Sequence, residues 1–336
     1  MRSYILPRAT GIDDLTLVER DRPEPGPEQA LVRMRATSLN YRDLLVATGR
    51  YGTRALPPDL VPLSDGAGEV VSVGPGVSRV AVGDRVAGTF FASWHAGDLM
   101  PGDHAQALGG STDGVLSEFR LFHQDSVVQV PPHLSFEEAA TLPCAGVTAW
   151  NALFTQRPLI PGDTVLVLGT GGVSIFALQF ARAAGARVIA TSSSDAKLER
   201  ARAMGASDGI NYRTTPDWER EVMRLTDGRG VDHVVEVGGA GTLPRSIASA
   251  RSGGSVHLIG VLTGGEINPT PLLHRSVTLR GVYVGSRAMF EAMNRAIAVN
   301  RLHPAIDRVF AFDEAQAAYR ALQQAEHLGK IVISVG

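Results

Sequence analysis

The chain has 336 residues, enough for two domains with substantial cores, and its 44% hydrophobic and 20% charged content is ordinary for a globular protein. A net charge of −2 excludes an electrostatic case for nucleic acid or an anionic membrane surface. No apolar run reaches membrane-spanning length and no charged-then-apolar signal segment opens the chain, while one cysteine rules out an intramolecular disulfide and fits a reducing, cytoplasmic setting.

Residues 1–38 alternate like antiparallel strands. Leu15 to Val18 leads into a proline-rich spacer at 22–27, and Ala30 to Thr37 follows with period two. Asn40 to Gly49 is a short helix ended by its glycine, with Arg50, Tyr51 and Gly52 in the loop beyond. Residues 61–77 and 80–88 supply more short strands with glycine corners, the pattern of a small, partly closed β-barrel. The segment from Ala92 to Ser117 is the least regular, and a loop that long is a place for function or motion. Strand returns from Ser117 to Pro131. Ser135 and Glu138 have the spacing of a capping box that opens a helix towards Leu142, and a further helix begins near Pro143.

Residues 163–192 organise the rest. Val165 to Leu168 is a short apolar run suited to a strand buried on both faces. Gly169, Thr170, Gly171 and Gly172 turn the chain, Ile175, Leu178, Gln179 and Ala181 to Ala184 carry a helical pattern that stops at Gly185, and Arg187 to Ala190 is a second buried strand. Strand, glycine turn, helix and strand make a βαβ unit whose turn suits a dinucleotide pyrophosphate, because free amides and the positive end of the helix dipole face the phosphates. The third glycine of the usual pattern is replaced by Ser174.

The α/β rhythm then continues. Ser194 caps a helix through Lys197 to Met204, Gly209 to Tyr212 is a short strand, and Trp218 to Leu225 is a helix. Val231 to Val237 is a strand, Leu243 to Arg251 a helix, and Ser255 to Val261 and Val277 to Val284 are strands. Six strands with intervening helices predict one doubly wound parallel sheet, a Rossmann-type α/β fold. Met289 to Val299, Asp313 to Gln324 and Lys330 to Val335 return to the barrel as helix and strand.

This order resembles the medium-chain dehydrogenase/reductase superfamily over essentially the whole chain. The markers are Asn40 to Leu45, Asp65 to Val77, Val82 to Val86, Leu142 to Trp150 and Gly329 to Ile333. The resemblance implies a GroES-like β-barrel domain interrupted by the Rossmann sheet. Its boundaries are 1–124 for the first part of the catalytic domain, 125–286 for the nucleotide-binding domain and 287–336 for the C-terminal return.

Zinc-dependent relatives place a ligand cysteine where this chain reads Asn40 and a ligand histidine where it reads Ser64 to Ala67. Neither ligand is present, a four-cysteine structural site is impossible with one cysteine, and Cys144 alone stands where some relatives keep a last ligand. His95, Asp98, Asp103 and His104 share a loop without closed ligand spacing. The sequence therefore looks like the zinc-independent quinone oxidoreductase and zeta-crystallin branch. Such a resemblance implies an NADPH-dependent oxidoreductase that reduces a quinone or an α,β-unsaturated carbonyl. The alternatives are a zinc-free alcohol dehydrogenase or carbonyl reductase, and a nucleotide-binding structural or regulatory protein without turnover. Conjugation spreads the developing negative charge, so a hydrogen-bond donor on the substrate oxygen can replace a metal.

Tyr51 matches the branch's active-site tyrosine and Asn40 its polar partner, although a packed loop tyrosine and a helix-cap asparagine fit the residue types as well. At the ribose end, Thr191, Ser192 and Ser193 are neutral where an NAD site would place an acid. Lys197 and Tyr212 match 2′-phosphate positions of the branch, while Asp195 is read as complementing the helix dipole. Further cofactor contacts are expected at Thr148, Gly169 to Val173, Val237, Gly260, Val261, Leu262, Val284 and Lys330. The edge formed by Val277 to Val284 resembles the family's dimer-forming strand, which predicts a homodimer.

Overall fold

The computed structural model describes residues 1–52 and 56–336. The chain divides into two compact units, Met1–Val147 together with Gly285–Gly336, and Thr148–Val284.

In the first unit, β1 (Arg2–Ile5) and β2 (Thr16–Glu19) form an antiparallel pair. β3 (Gln29–Ser38) is the hub of a larger sheet, and α1 (Tyr41–Ala47) leaves its end. β4 (Asp65–Val73) runs antiparallel along β3, β5 (Arg85–Gly88) pairs with β4, and β6 (Phe119–His123) covers the first half of β3 from the other side. β7 (Val127–Gln129) pairs with β5, and α2 (Phe136–Ala139) opens with the reciprocal capping box of Ser135 and Glu138 that the sequence predicts. These pairings explain why residues 125–147 belong to the first unit, whereas the sequence alone puts a boundary at 124.

The second unit takes in most of α3 (Val147–Phe154) and then alternates strictly. It contains β8 (Thr164–Val167), α4 (Gly172–Ala183), β9 (Arg187–Ser192), α5 (Asp195–Ala203), β10 (Asp208–Asn211) and α6 (Trp218–Leu225). It continues with β11 (Val231–Glu236), α7 (Leu243–Ser249), β12 (Ala250–Leu258), α8 (Thr270–Arg275) and β13 (Thr278–Gly281). The helix expected over 243–251 stops at Ser249, because Ala250 enters the ladder opposite Val231. α8 has no counterpart in the sequence reading.

All neighbours in this sheet are parallel, in the order β10-β9-β8-β11-β12-β13. That is the doubly wound order of two mononucleotide halves, with its reversal between β8 and β11. The core holds Leu166, Ile189, Val234 and Val256 of the strands against Trp218, Val222 and Ile247 of the helices.

The chain returns to the first unit with α9 (Arg287–Asn300), β14 (Ile306–Ala311), α10 (Ala315–Gln324) and β15 (Lys330–Ser334). β15 runs antiparallel to the end of β3 and parallel to β14, giving the order β14-β15-β3-β4-β5-β7 with β6 on β3. Met34, Val46, Leu63, Tyr319, Ile331 and Ile333 share its core. Among the described residues no helix is long and apolar enough to cross a membrane.

One buried pair makes the second unit sensitive to acid. His233 of β11 and His257 of β12 stack, with His233 Nδ1 3.1 Å from His257 Nε2, so one nitrogen must stay bare to accept the shared hydrogen bond. Burial, then the neighbouring His233, pushes His257 down to about 3. A folded value below the unfolded one means the unfolded chain binds more protons, so stability is full above the unfolded value and falls as pH drops through it towards 3. Urea denaturation should therefore show wild type losing about 1.4 kcal/mol per pH unit below about 6.5 beyond what His257→Leu loses. Equal losses in the two proteins would show that the pair does not titrate on unfolding.

Candidate active site

In the second unit the site is built on the turn between β8 and α4. Gly169 has φ 70°, a left-handed backbone that glycine adopts without strain, and its amide donates to Thr191 Oγ1 at 3.2 Å. Gly171, the N-cap of α4, has an ordinary φ of −74°, and a Cβ there would meet no protein atom within 4 Å. Neither backbone strain nor a close neighbour accounts for glycine at 171, and the position leaves room for a group to approach this backbone from outside. A dinucleotide pyrophosphate at the N-terminus of a twelve-residue helix meets that description. The Ser174 hydroxyl donates to the Leu168 carbonyl at 2.6 Å, which lets serine stand at the third glycine position.

Ser192 lies at the end of β9, and its carbonyl accepts from the Tyr212 amide at 3.0 Å, so Ser192, Ser193 and Tyr212 gather beside the first turn of α5. Ser194 caps that helix by accepting from the Lys197 amide at 3.4 Å. Asp195, the acid in this turn, accepts from the Asn211 side chain at 2.8 Å. On the other half of the sheet, Val237 follows β11 and Gly260 to Leu262 follow β12; a Cβ on Gly260 would stand 1.9 Å from the Val237 carbonyl oxygen. Val284 has φ 55°, rare for a β-branched residue, and its carbonyl accepts from Asn151 Nδ2 at 2.7 Å. Thr148 is buried in α3.

In the first unit a different cluster forms around Lys330. Its buried ammonium donates to the Leu39 carbonyl and to Asn40 Oδ1, each at 2.6 Å, and lies 3.5 Å from Asp65 Oδ2. Asp65 also accepts from Ser64 Oγ at 2.7 Å and from the Cys144 amide at 3.2 Å. Asn40 is the N-cap of α1, where its amide donates to Asp43 Oδ2 at 2.7 Å. Desolvation raises the Asp43 carboxyl to about 6 against the opposing pull of Arg42. Arg42 donates to the carbonyls of Leu108 and Gly109 and lies 4.4 Å from the Tyr51 ring centre, which ties the tyrosine and the end of the irregular loop to α1. Thus Asn40 and Lys330 meet directly, and Tyr51 sits on Arg42.

The residues at the family's metal position do not suit zinc. Asn40 offers an amide oxygen that accepts from an ammonium and Ser64 a hydroxyl bonded to Asp65, which leaves Cys144 as the one thiol among these groups. Among the described residues no three His, Cys, Asp or Glu side chains gather as a metal-holding group.

A barrel carrying polar groups, joined to a doubly wound sheet with a glycine turn open to phosphate, defines a nicotinamide-dependent oxidoreductase. Residues 26–132 match the alcohol dehydrogenase GroES-like domain and residues 172–299 the family described as zinc-binding dehydrogenase. The chain is 43% identical to the zinc-type alcohol dehydrogenase-like protein C1773.06c of Schizosaccharomyces pombe, covering 100% of this chain and 99% of that one. It is 31% identical to a quinone oxidoreductase of Pseudomonas aeruginosa over 92% of each. A solved NAD-dependent alcohol dehydrogenase superposes with a TM-score of 0.91 at 34% identity, covering 100% of both chains. The chain belongs to the medium-chain dehydrogenase/reductase family and is an NAD(P)-dependent oxidoreductase of it.

One signal in the sequence bears on the site beyond the motifs. Only two of the chain's 32 lysines and arginines are lysines, Lys197 and Lys330, and both stand at expected cofactor positions. A compact ammonium fits among the Leu39, Asn40 and Asp65 oxygens in a way that a planar guanidinium fork does not. Lys330→Met should cost about 3–5 kcal/mol in urea denaturation by leaving Asp65 buried without its cation, and Asp65→Asn in the same chain should recover part of it. Strictly additive losses would show that the two groups do not act as a pair.

Proposed function

We propose that this enzyme is a zinc-free, NADPH-dependent reductase of quinones or α,β-unsaturated carbonyls. The observation that carries the proposal is the ammonium of Lys330 on Asn40 Oδ1, in a donor set without a thiolate or imidazole for a metal. Bound NADPH supplies the hydride. The chain's own contribution is to bind the dinucleotide through the glycine turn and to present hydrogen-bond donors to the acceptor oxygen. Tyr51 is the donor proposed, held by Arg42 beneath its ring. A conjugated acceptor spreads its developing charge over several atoms, so a phenol hydrogen bond suffices where an isolated carbonyl needs a Lewis acid.

Preference for NADPH is supported by the hydroxyls of Ser192 and Ser193, the cation at Lys197 and the engagement of Asp195 by Asn211. The open side of β13, the last strand of its sheet, supports a homodimer in which a second copy adds there. A second reading, an alcohol dehydrogenase or carbonyl reductase acting on simple aldehydes and ketones, is favoured by the alcohol dehydrogenase names of several relatives, one of them named as zinc-type.

Turnover on a panel of quinones, enones, aldehydes and secondary alcohols with each dinucleotide tests this reading. Quinones or enones with NADPH should be preferred, and activity confined to alcohols and aldehydes would overturn it. Tyr51→Phe should lower kcat about 100-fold on the preferred substrate with unchanged dinucleotide affinity; unchanged kcat would remove Tyr51 from the reaction. Lys197→Ala should weaken NADPH about tenfold and leave NADH unaffected, whereas wild-type protein that bound both equally would refute the NADPH assignment.

A further inference from the structure

β11 is buried along its whole length, yet it ends on an acid, Glu236, that is 0% exposed. Among the described residues no cationic side chain pairs with it. Its carboxyl group is met by hydrogen-bond donors alone. Oε1 accepts from the backbone amides of Gly238 at 2.6 Å and Gly239 at 3.1 Å and from Thr242 Oγ1 at 2.6 Å, while Oε2 accepts from Ser246 Oγ. The same residue's carbonyl accepts from Ile259 and Gly260, at 2.8 and 3.2 Å. One residue therefore holds the loop after β11 and the loop after β12.

Those loops are also joined to each other. The Ala240 amide donates to the Thr263 carbonyl at 3.1 Å, the Thr263 amide to the Gly238 carbonyl at 3.2 Å, and the Gly241 amide to Thr263 Oγ1 at 2.8 Å. Burying a carboxyl group is costly unless its oxygens are satisfied, and here the satisfaction comes from three donors of the loop after β11 and from Ser246 of α7. The carboxyl group therefore holds the first loop directly and reaches the second through the contacts of Thr263 with Gly238, Ala240 and Gly241. In the strand order of this sheet β11 and β12 follow the reversal, so their carboxyl ends serve the second mononucleotide, while β8, β9 and the glycine turn serve the adenosine half.

We propose that Glu236 is a positioning residue that sets the loops of residues 237–242 and 259–263 for the nicotinamide half of the dinucleotide before it binds. The role rests on dinucleotide binding by this unit and goes beyond it by dividing the site into a half that needs Glu236 and a half that does not. Such a division separates a positioning role from general support of the fold, which would serve both halves alike.

The test compares Glu236→Leu and Glu236→Gln with wild type for affinity towards NADPH, NADH and adenosine 5′-monophosphate, with amide hydrogen exchange read over both loops. Glu236→Leu should weaken the preferred dinucleotide at least about tenfold and speed exchange at 237–242 and 259–263, with the monophosphate affinity held within about twofold. Glu236→Gln keeps an oxygen for the Gly238, Gly239 and Thr242 donors and should recover most of the dinucleotide affinity. If Glu236→Leu does not fold, Thr242→Val carries the same comparison with a smaller change in the same direction. Faster loop exchange with unchanged dinucleotide affinity would overturn the proposal, and so would equal weakening of dinucleotide and monophosphate. Wild-type protein that bound neither dinucleotide would instead overturn the cofactor reading on which the role rests.

Discussion

A single ammonium buried among oxygens ties together distant segments of the first unit. Lys330 opens β15, and its side chain reaches Leu39 and Asn40 at the junction of β3 and α1 and Asp65 at the start of β4. Asp65 in turn receives the amide of Cys144 in the turn before α3. Four segments far apart in sequence are thereby fixed on one charge. Removing a charge from water costs several kcal/mol, and the cost is offset only because a carboxylate, an amide oxygen and a main-chain carbonyl all face it. The same arrangement occupies the oxygen of Asn40, and the positive charge that it holds is that of Lys330.

The second unit is organised by space left open where the first is organised by a buried charge. Gly171 has neither a strained backbone nor a close neighbour, and its open backbone leaves room for a ligand to approach the main chain. The polar groups around it are prearranged by short hydrogen bonds: Ser174 to the Leu168 carbonyl, Thr191 to the Gly169 amide, Asn211 to Asp195. A site of this kind orients and binds. In the function proposed here, what accepts the electrons is set by the electrophilic help at hand, which is a hydrogen bond from Tyr51 on Arg42 in place of a metal's full charge.

How much of this was legible in the sequence follows from how local each feature is. The βαβ unit at 163–192, the Ser135 capping box and the helix over 218–225 were readable because their signals lie within a few residues. The doubly wound class was readable from the rhythm of strands and helices, but the strand order was not, since pairing between parallel strands leaves no local mark. The joining of Lys330 to Asn40 spans 290 residues, so periodicity carries no trace of it. Lys330 was expected among the cofactor contacts; the structure shows what its ammonium holds within its own unit. Glu236 went unread for the opposite reason: its donors lie two to ten residues away, but an acid at the end of an apolar run reads as the strand's exposed tip. The extent of β12 was misjudged because Ala250 and Arg251 suit a helix by residue type, and only the ladder with β11 draws Ala250 into a strand.

The central claim is that reduction proceeds here with charge supplied by side chains. Metal content measured on purified enzyme, alongside its NADPH-dependent turnover before and after exhaustive chelation, tests it most directly. Full turnover in protein carrying only trace zinc, unchanged by the chelator and by added zinc, is the predicted result. Stoichiometric zinc whose removal abolishes turnover, and whose return restores it, would contradict the claim.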